Sequence, residues 1–96
     1  MNDFLYTAQN ELLTRLVGED FAKSVSLRIK DIGNIVISGA DARISDDQAD
    51  CAIFSSEKTL TQIMNGSLNP MKAVMLGKLK VKGDAATALK FGNLFG

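Results

Sequence analysis

Gly77-Lys78-Leu79-Lys80-Val81-Lys82-Gly83-Asp84 alternates basic and apolar side chains between two glycines. A strict period of two is the signature of a half-wet strand, with Leu79 and Val81 on one face and Lys78, Lys80 and Lys82 on the other. Asp84 then offers a capping carboxylate for a last helix, expected to reach about Leu94 and to carry Leu89, Phe91 and Phe95. Upstream, Asn69-Pro70 opens another helix, with a capping side chain followed by proline at the first helical position. Its inner face is expected to hold Met71, Val74 and Met75, and Gly77 ends it. Before that, Ser55 and Ser56 are N-cap candidates for a short helix. Leu60, Ile63 and Met64 share one face of it, and Asn65-Gly66 stops it.

Working back towards the amino terminus, Asp50 to Phe54 reads as a strand. Cys51-Ala52-Ile53-Phe54 runs without alternation, which predicts a position covered on both faces, with Cys51 as a small packing residue. Val25, Leu27 and Ile29 alternate with Ser26, Arg28 and Lys30, so a second half-wet strand lies there. Gly33-Asn34 turns it into Ile35-Val36-Ile37, a hairpin partner, and Ala42 to Ser45 forms a short further strand. Asn2 to Val17 has the helical period, with Leu5, Ala8, Leu12 and Leu16 in one stripe, widened by Phe4, Leu13 and Val17. The order α-β-β-β-β-α-α-β-α predicts an α/β or α+β sandwich, one mixed sheet with helices against it.

With 96 residues, 46% of them apolar, the chain is long enough for one domain over residues 1–96 and one modest core. Eleven basic side chains balance eleven acidic ones, which argues against a nucleic-acid partner. There is no histidine, so the commonest acid–base group near neutral pH is missing. Neither a metal-ligand set nor a phosphate-cradling glycine loop is present, and no cofactor is implied. Asp46, Asp47 and Asp50 cluster, but without the glycine and closing glutamate of a calcium loop they read as a solvated turn. A lone cysteine and the absence of any signal or membrane-spanning stretch predict a reducing, cytoplasmic location.

Residues 49 to 94 resemble the sterol carrier protein type two family. The resemblance rests on Ala49-Asp50-Cys51-Ala52-Ile53, Asn65-Gly66, Asn69-Pro70-Met71-Lys72-Ala73 and the Gly77–Asp84 run. It implies a five-stranded mixed β-sheet with helices packed on one face. Between them would lie an apolar tunnel for a sterol, fatty acid or fatty acyl-coenzyme A. Family members also serve as ligand-presenting domains and as accessories in quinone biosynthesis. The early strands lack the tryptophan often found there. The chain stops at Phe95-Gly96, without the carboxy-terminal extension and peroxisomal signal of eukaryotic members, so a more open tunnel mouth and no peroxisomal location are expected.

On this reading the protein is not an enzyme. It binds one long-chain apolar ligand and transfers or presents it, with transient contact to a membrane or a lipid-modifying enzyme. The expected lining is Leu60, Ile63, Met64, Met71, Val74, Met75, Leu79, Phe91 and Phe95. Methionine is flexible and polarisable, suited to a ligand of variable shape, although it fills ordinary cores equally well. Lys78, Lys80 and Lys82 are candidates for headgroup or membrane contact. Lysines on an edge strand also deter sheet-to-sheet association. Phe91 and Phe95 either close one end of the tunnel or pack on the sheet. The alternatives are a protein-interaction or dimerisation module, an accessory subunit of a lipid- or quinone-modifying enzyme, and, with least support, an acyl-coenzyme A thioesterase.

Overall fold

The computed structural model describes residues 3–95. Its centre is β1 (Phe21–Ile29), whose Val25, Leu27 and Ile29 are buried. A turn leads into β2 (Gly33–Gly39), antiparallel to β1, with Val25 opposite Ile37 and Leu27 opposite Ile35. The register slips between Phe21 and Val25. β3 (Asp41–Ile44) continues the antiparallel meander on the outer side of β2. β4 (Cys51–Ser55) then runs parallel to β1 on its other side, setting Cys51 beside Val25 and Ile53 beside Leu27. After two helices, β5 (Lys80–Gly83) joins β4 antiparallel, so the five-stranded mixed sheet has the order β3-β2-β1-β4-β5.

The inward side chains of this sheet meet four helices. α1 (Asp3–Arg15) packs against β2 and β3 and buries Leu5, Ala8 and Leu12, with Leu16 just beyond it. Leu5 sits directly on the β1–β2 turn, where a Cβ on Gly33 would lie 2.7 Å from its Cδ1. α2 (Glu57–Met64) inserts Leu60 and Ile63. α3 (Pro70–Met75) inserts Ala73, and α4 (Ala85–Asn93) inserts Phe91 against β1, β4 and β5. Each fully buried leucine, isoleucine or phenylalanine contributes about 1.5–3 kcal/mol, and these residues form one continuous core.

The helix starts agree with their capping residues. Thr59 N–H donates to Ser56 Oγ, Met71 N–H to Asn69 Oδ1, and Thr87 N–H to Asp84 Oδ2. The two hydrogen bonds from Thr87, its hydroxyl first and its backbone N–H second, hold the Asp84 carboxyl below the usual carboxylate range. Lys23, 3.5 Å away, adds to the effect. A depressed folded-state pKa contributes stability that is fully present above the unfolded value near pH 4 and lost as pH falls through the folded value. Asp84→Asn keeps an acceptor for the cap but cannot titrate. Its stability is expected to lie below that of the parent at pH 6 and to converge with it towards pH 2. Denaturant midpoints across that range check this, and parallel curves would refute it.

Three expectations need correction. Asn2 lies outside the described residues, and Val17 is 80% exposed, beyond the end of α1 and outside its apolar stripe. β4 does alternate: Cys51, Ile53 and Ser55 are buried while Phe54 faces outward, because the helices cover only one side of the sheet. β5 starts at Lys80 and not at Gly77. The N–H groups of Lys78 and Leu79 donate back to the Ala73 carbonyl at 2.8 and 3.2 Å, which ties both residues to the end of α3. Asp46, Asp47 and Asp50 lie exposed between β3 and β4, the solvated turn expected of them, and do not converge. They bind Asn34, Arg43 and Ser24 respectively.

Arg15 joins three helices. Its Nε donates to Glu11 at 2.8 Å, Nη1 to the Leu94 carbonyl at 3.1 Å and Nη2 to the Met64 carbonyl at 3.0 Å. Its guanidinium carbon also lies 4.8 Å from the centre of the Phe95 ring. Two carbonyls left over at helix carboxy-terminal ends thus share one cation. Arg15→Met should cost about 2–3 kcal/mol, the scale of hydrogen bonds to a charged donor. That corresponds to a drop of roughly 10–20 °C in Tm for a domain of this size. Arg15→Lys should recover less than half, since an ammonium lacks the planar fork that spans both carbonyls. A thermal melt of the two variants decides it; an unchanged Tm for Arg15→Met would remove the strut.

Candidate functional site

The alternation of residues 79–82 separates two surfaces. Leu79 and Val81 turn towards the helices and join Ile53 of β4 as the floor of a groove of about 490 Å³. One wall is α3, through Pro70, Met71 and Val74. The other is α4, through Ala85, Ala88, Leu89 and Gly92, with Phe91 at the base. Positions 85, 88, 89 and 92 follow the spacing of a single helical stripe. The small residues in that stripe leave space against α3. Asn69 and Asn93 are the polar members of the lining, which contains no charged side chain. A volume of this size lies within the range of roughly 300–1,000 Å³ usual for small-molecule sites.

The groove is an open cleft, where a tunnel with a more open mouth was expected. Val74 is 43% exposed and Met71 59% exposed, and Val81 and Leu89 also meet solvent. The reason is the shortness of α3, six residues that span only about 9 Å and cannot roof a long channel.

The structure divides the expected lining into groups. Met71, Val74, Leu79 and Phe91 stand on the groove wall. Leu60 and Ile63 do not: they are 1% and 2% exposed and belong to the core under α2. Met64 packs on the same core from the side. Met75, 84% exposed, lies outside the groove. Phe95 stacks edge-on to Phe91 at 5.4 Å beneath Arg15, so it packs rather than closing the cleft. The groove residues not foreseen are Ile53, Pro70, Val81, Ala85, Ala88 and Leu89, with Gly92 and the two asparagines.

On the opposite face of the sheet, Lys80 pairs across from Phe54 and the Lys82 ammonium lies 5.8 Å from the Phe54 ring. Lys78 precedes β5 and does not share its face by register. It does meet Lys80 in a second, shallower depression of about 630 Å³ that also contains Arg28 and Lys30. Cys51 is buried at the β4–β5 junction. Burial first, and the Asp84 charge second, push its thiol up from the ordinary value, so it stays protonated and inert.

With this geometry in view, comparison with known proteins is informative. The SCP-2 sterol transfer family matches residues 2–96. The chain belongs to that family. Chicken sterol carrier protein 2 is 41% identical over 56 residues, which is 58% of this chain. The match covers 10% of the chicken protein, so this chain spans about a tenth of the length of that curated relative. The crystal structure of sterol carrier protein 2 like 2 from Aedes aegypti superposes with a TM-score of 0.80 at 17% identity, covering 94% of both chains. The solution structure of Aedes aegypti sterol carrier protein 2, in complex with the C16 fatty acid palmitate, gives 0.79 at 19% identity, over 100% of this chain and 97% of that one. The β4-to-β5 segment that carried the sequence resemblance builds the floor and one wall of the groove here. Among the described residues, no helix is long and apolar enough to cross a membrane.

Proposed function

We propose that this SCP-2 family chain binds a long-chain apolar ligand of the fatty-acid type in the α3–α4 groove and carries it without chemistry of its own. The observation that supports the reading best is the lining: an apolar cleft of about 490 Å³ in a folded protein, with two asparagines and no charge. A chain laid in it is stabilised by desolvation, at about 0.8 kcal/mol per buried methylene. About fifteen such groups, roughly 12 kcal/mol, less about 4 kcal/mol for lost freedom, leave about 8 kcal/mol, which is micromolar affinity. The palmitate bound to the Aedes aegypti relative supports the ligand class. Met71, Val74, Leu79 and Phe91 contact the chain on this reading, together with Val81, Ala88 and Leu89. The absence of histidine and the uncharged lining favour a carrier over a hydrolase. The domain is a single unit over residues 1–96 and works in a reducing compartment, the cytoplasm, where its buried thiol remains free.

Native mass spectrometry of the freshly purified protein, followed by organic extraction, tests this. A stoichiometric lipid adduct of fatty-acid mass is the expected result. If the protein carries no adduct and a fluorescent sixteen-carbon fatty acid does not bind it, the carrier reading fails and the interaction-module alternative takes its place.

A further inference from the structure

Charge in this neutral chain is segregated. Lysines stand at 58, 72, 78, 80 and 82, and from Lys58 to Gly83 there is no carboxylate. The same segment holds the most prominent exposed apolar cluster. Met75 is 84% exposed and Leu76 is 56% exposed at the end of α3, and Met71 and Val74 continue towards the groove. The α3–β5 turn lies between two concave surfaces. Val74 and Leu79 reach the apolar groove, while Gly77 and Lys78 reach the depression shared with Arg28, Lys30 and Lys80. Asp31 is the one acidic residue lining that depression.

We propose that the α3–β5 corner is a membrane-docking tip for anionic phospholipid. Met75 and Leu76 enter the acyl boundary, Lys72 and Lys78 meet lipid phosphates, and the basic depression receives a headgroup beside them. Exposed methionine and leucine next to water are unfavourable unless something apolar covers them, and lysines arrayed around them select an anionic surface. The occupant is a bilayer because the corner joins the two chemistries a lipid presents, and because the groove opens beside it. An acyl chain passing between bilayer and groove then crosses Met71 and Val74 and not open water. The inference rests on the carrier reading for its purpose. Its binding chemistry is separate and is tested separately.

The test is co-sedimentation with vesicles of phosphatidylcholine alone and of phosphatidylcholine doped with phosphatidylglycerol. Binding is expected to the doped vesicles, to weaken as salt rises, and to be faint on neutral ones. Lys72→Gln and Lys78→Gln should each weaken it about fivefold, and the pair about 25-fold, from about one unit of surface attraction per lysine. Leu76→Asp, at an exposed position outside both concave surfaces, should abolish sedimentation and leave the affinity for a fluorescent fatty acid unchanged. Equal binding to both vesicle types, or full binding by Leu76→Asp, overturns the docking tip. Absence of vesicle binding with fatty-acid binding intact overturns the docking tip and leaves the carrier reading standing. Vesicle binding without fatty-acid binding overturns only the carrier reading. If a soluble acidic protein and not the vesicles is retained through Leu76, the corner is a protein-docking surface and the proposal is wrong.

Discussion

Ala88→Trp is expected to lower the affinity for a sixteen-carbon fatty acid about 200-fold while leaving the protein folded. Ala88 sits on α4 at the middle of the stripe that faces α3, half-buried and without a hydrogen-bonding role for its side chain. An indole placed there occupies the space of about four methylenes, each contributing about 0.8 kcal/mol, so about 3 kcal/mol of ligand burial is lost. The same indole fills an open apolar cleft, so overpacking is minor and the denaturant midpoint should hold. Leu60→Ala is the complementary variant. Leu60 is core, and its truncation should cost about 2–5 kcal/mol of stability through the cavity it leaves. Because Leu60 lies outside the groove, the folded fraction should bind with unchanged affinity. Fluorescence titration and equilibrium denaturation of both variants measure the two effects independently. If Ala88→Trp binds normally, the ligand does not use this groove.

The contrast between those two residues shows what was legible in one dimension. Leu60 and Ile63 recur at a helical step and are buried together in the core, on one face as the periodicity predicts. Periodicity reports that a side chain is inward-facing. It does not report whether a neighbour already fills the space, so core and groove residues carry the same signal. The caps at Ser56, Asn69 and Asp84 were readable because capping is local chemistry. The hairpin of β1 and β2 was readable for the same reason.

What failed did so through distance or brevity. One dimension offers Arg15 only an i,i+4 partner in Glu11, since its contacts to Met64 and Leu94 lie 49 and 79 residues away. α3 is under two turns long, too short for a period to fix its inner face. Pro70 and Ala73 turned out to be its buried residues, and Met75 points away. The stripe Ala85-Ala88-Leu89-Gly92 was present in the sequence. Only Leu89 of it stands out as an apolar position, because small residues look like spacers, yet here the smallness of Ala85, Ala88 and Gly92 is what leaves the groove open.

Gly83→Ala should be the most destabilising single-methyl change in the chain, at about 3 kcal/mol and roughly 12–24 °C in Tm. Gly83 has φ of +95°, a region that costs any residue with a Cβ. In addition, the new Cβ would lie 2.3 Å from the Asp50 carbonyl oxygen and 3.2 Å from Cys51 Cα. Those backbone atoms are held: Asp84 N–H donates to the Asp50 carbonyl at 3.2 Å, and the Asp50 carboxylate accepts from Ser24 N–H at 2.9 Å. The strain must then be relieved by moving β5, which is an edge strand of four residues. Val81 would leave the groove floor with it, so ligand affinity should fall together with stability. Gly77→Ala separates the two causes. Its φ of +74° is equally left-handed, but nothing lies within 4 Å of the added methyl. It should cost only about 1 kcal/mol of backbone strain. Denaturant unfolding of both variants, with a fatty-acid titration beside it, gives the comparison. Equal losses at the two positions would mean that backbone strain alone is at work and that the β4–β5 contact contributes nothing. A further loss at Gly83, coupled to weaker ligand binding, would show that the contact which closes the sheet edge also holds the groove in shape.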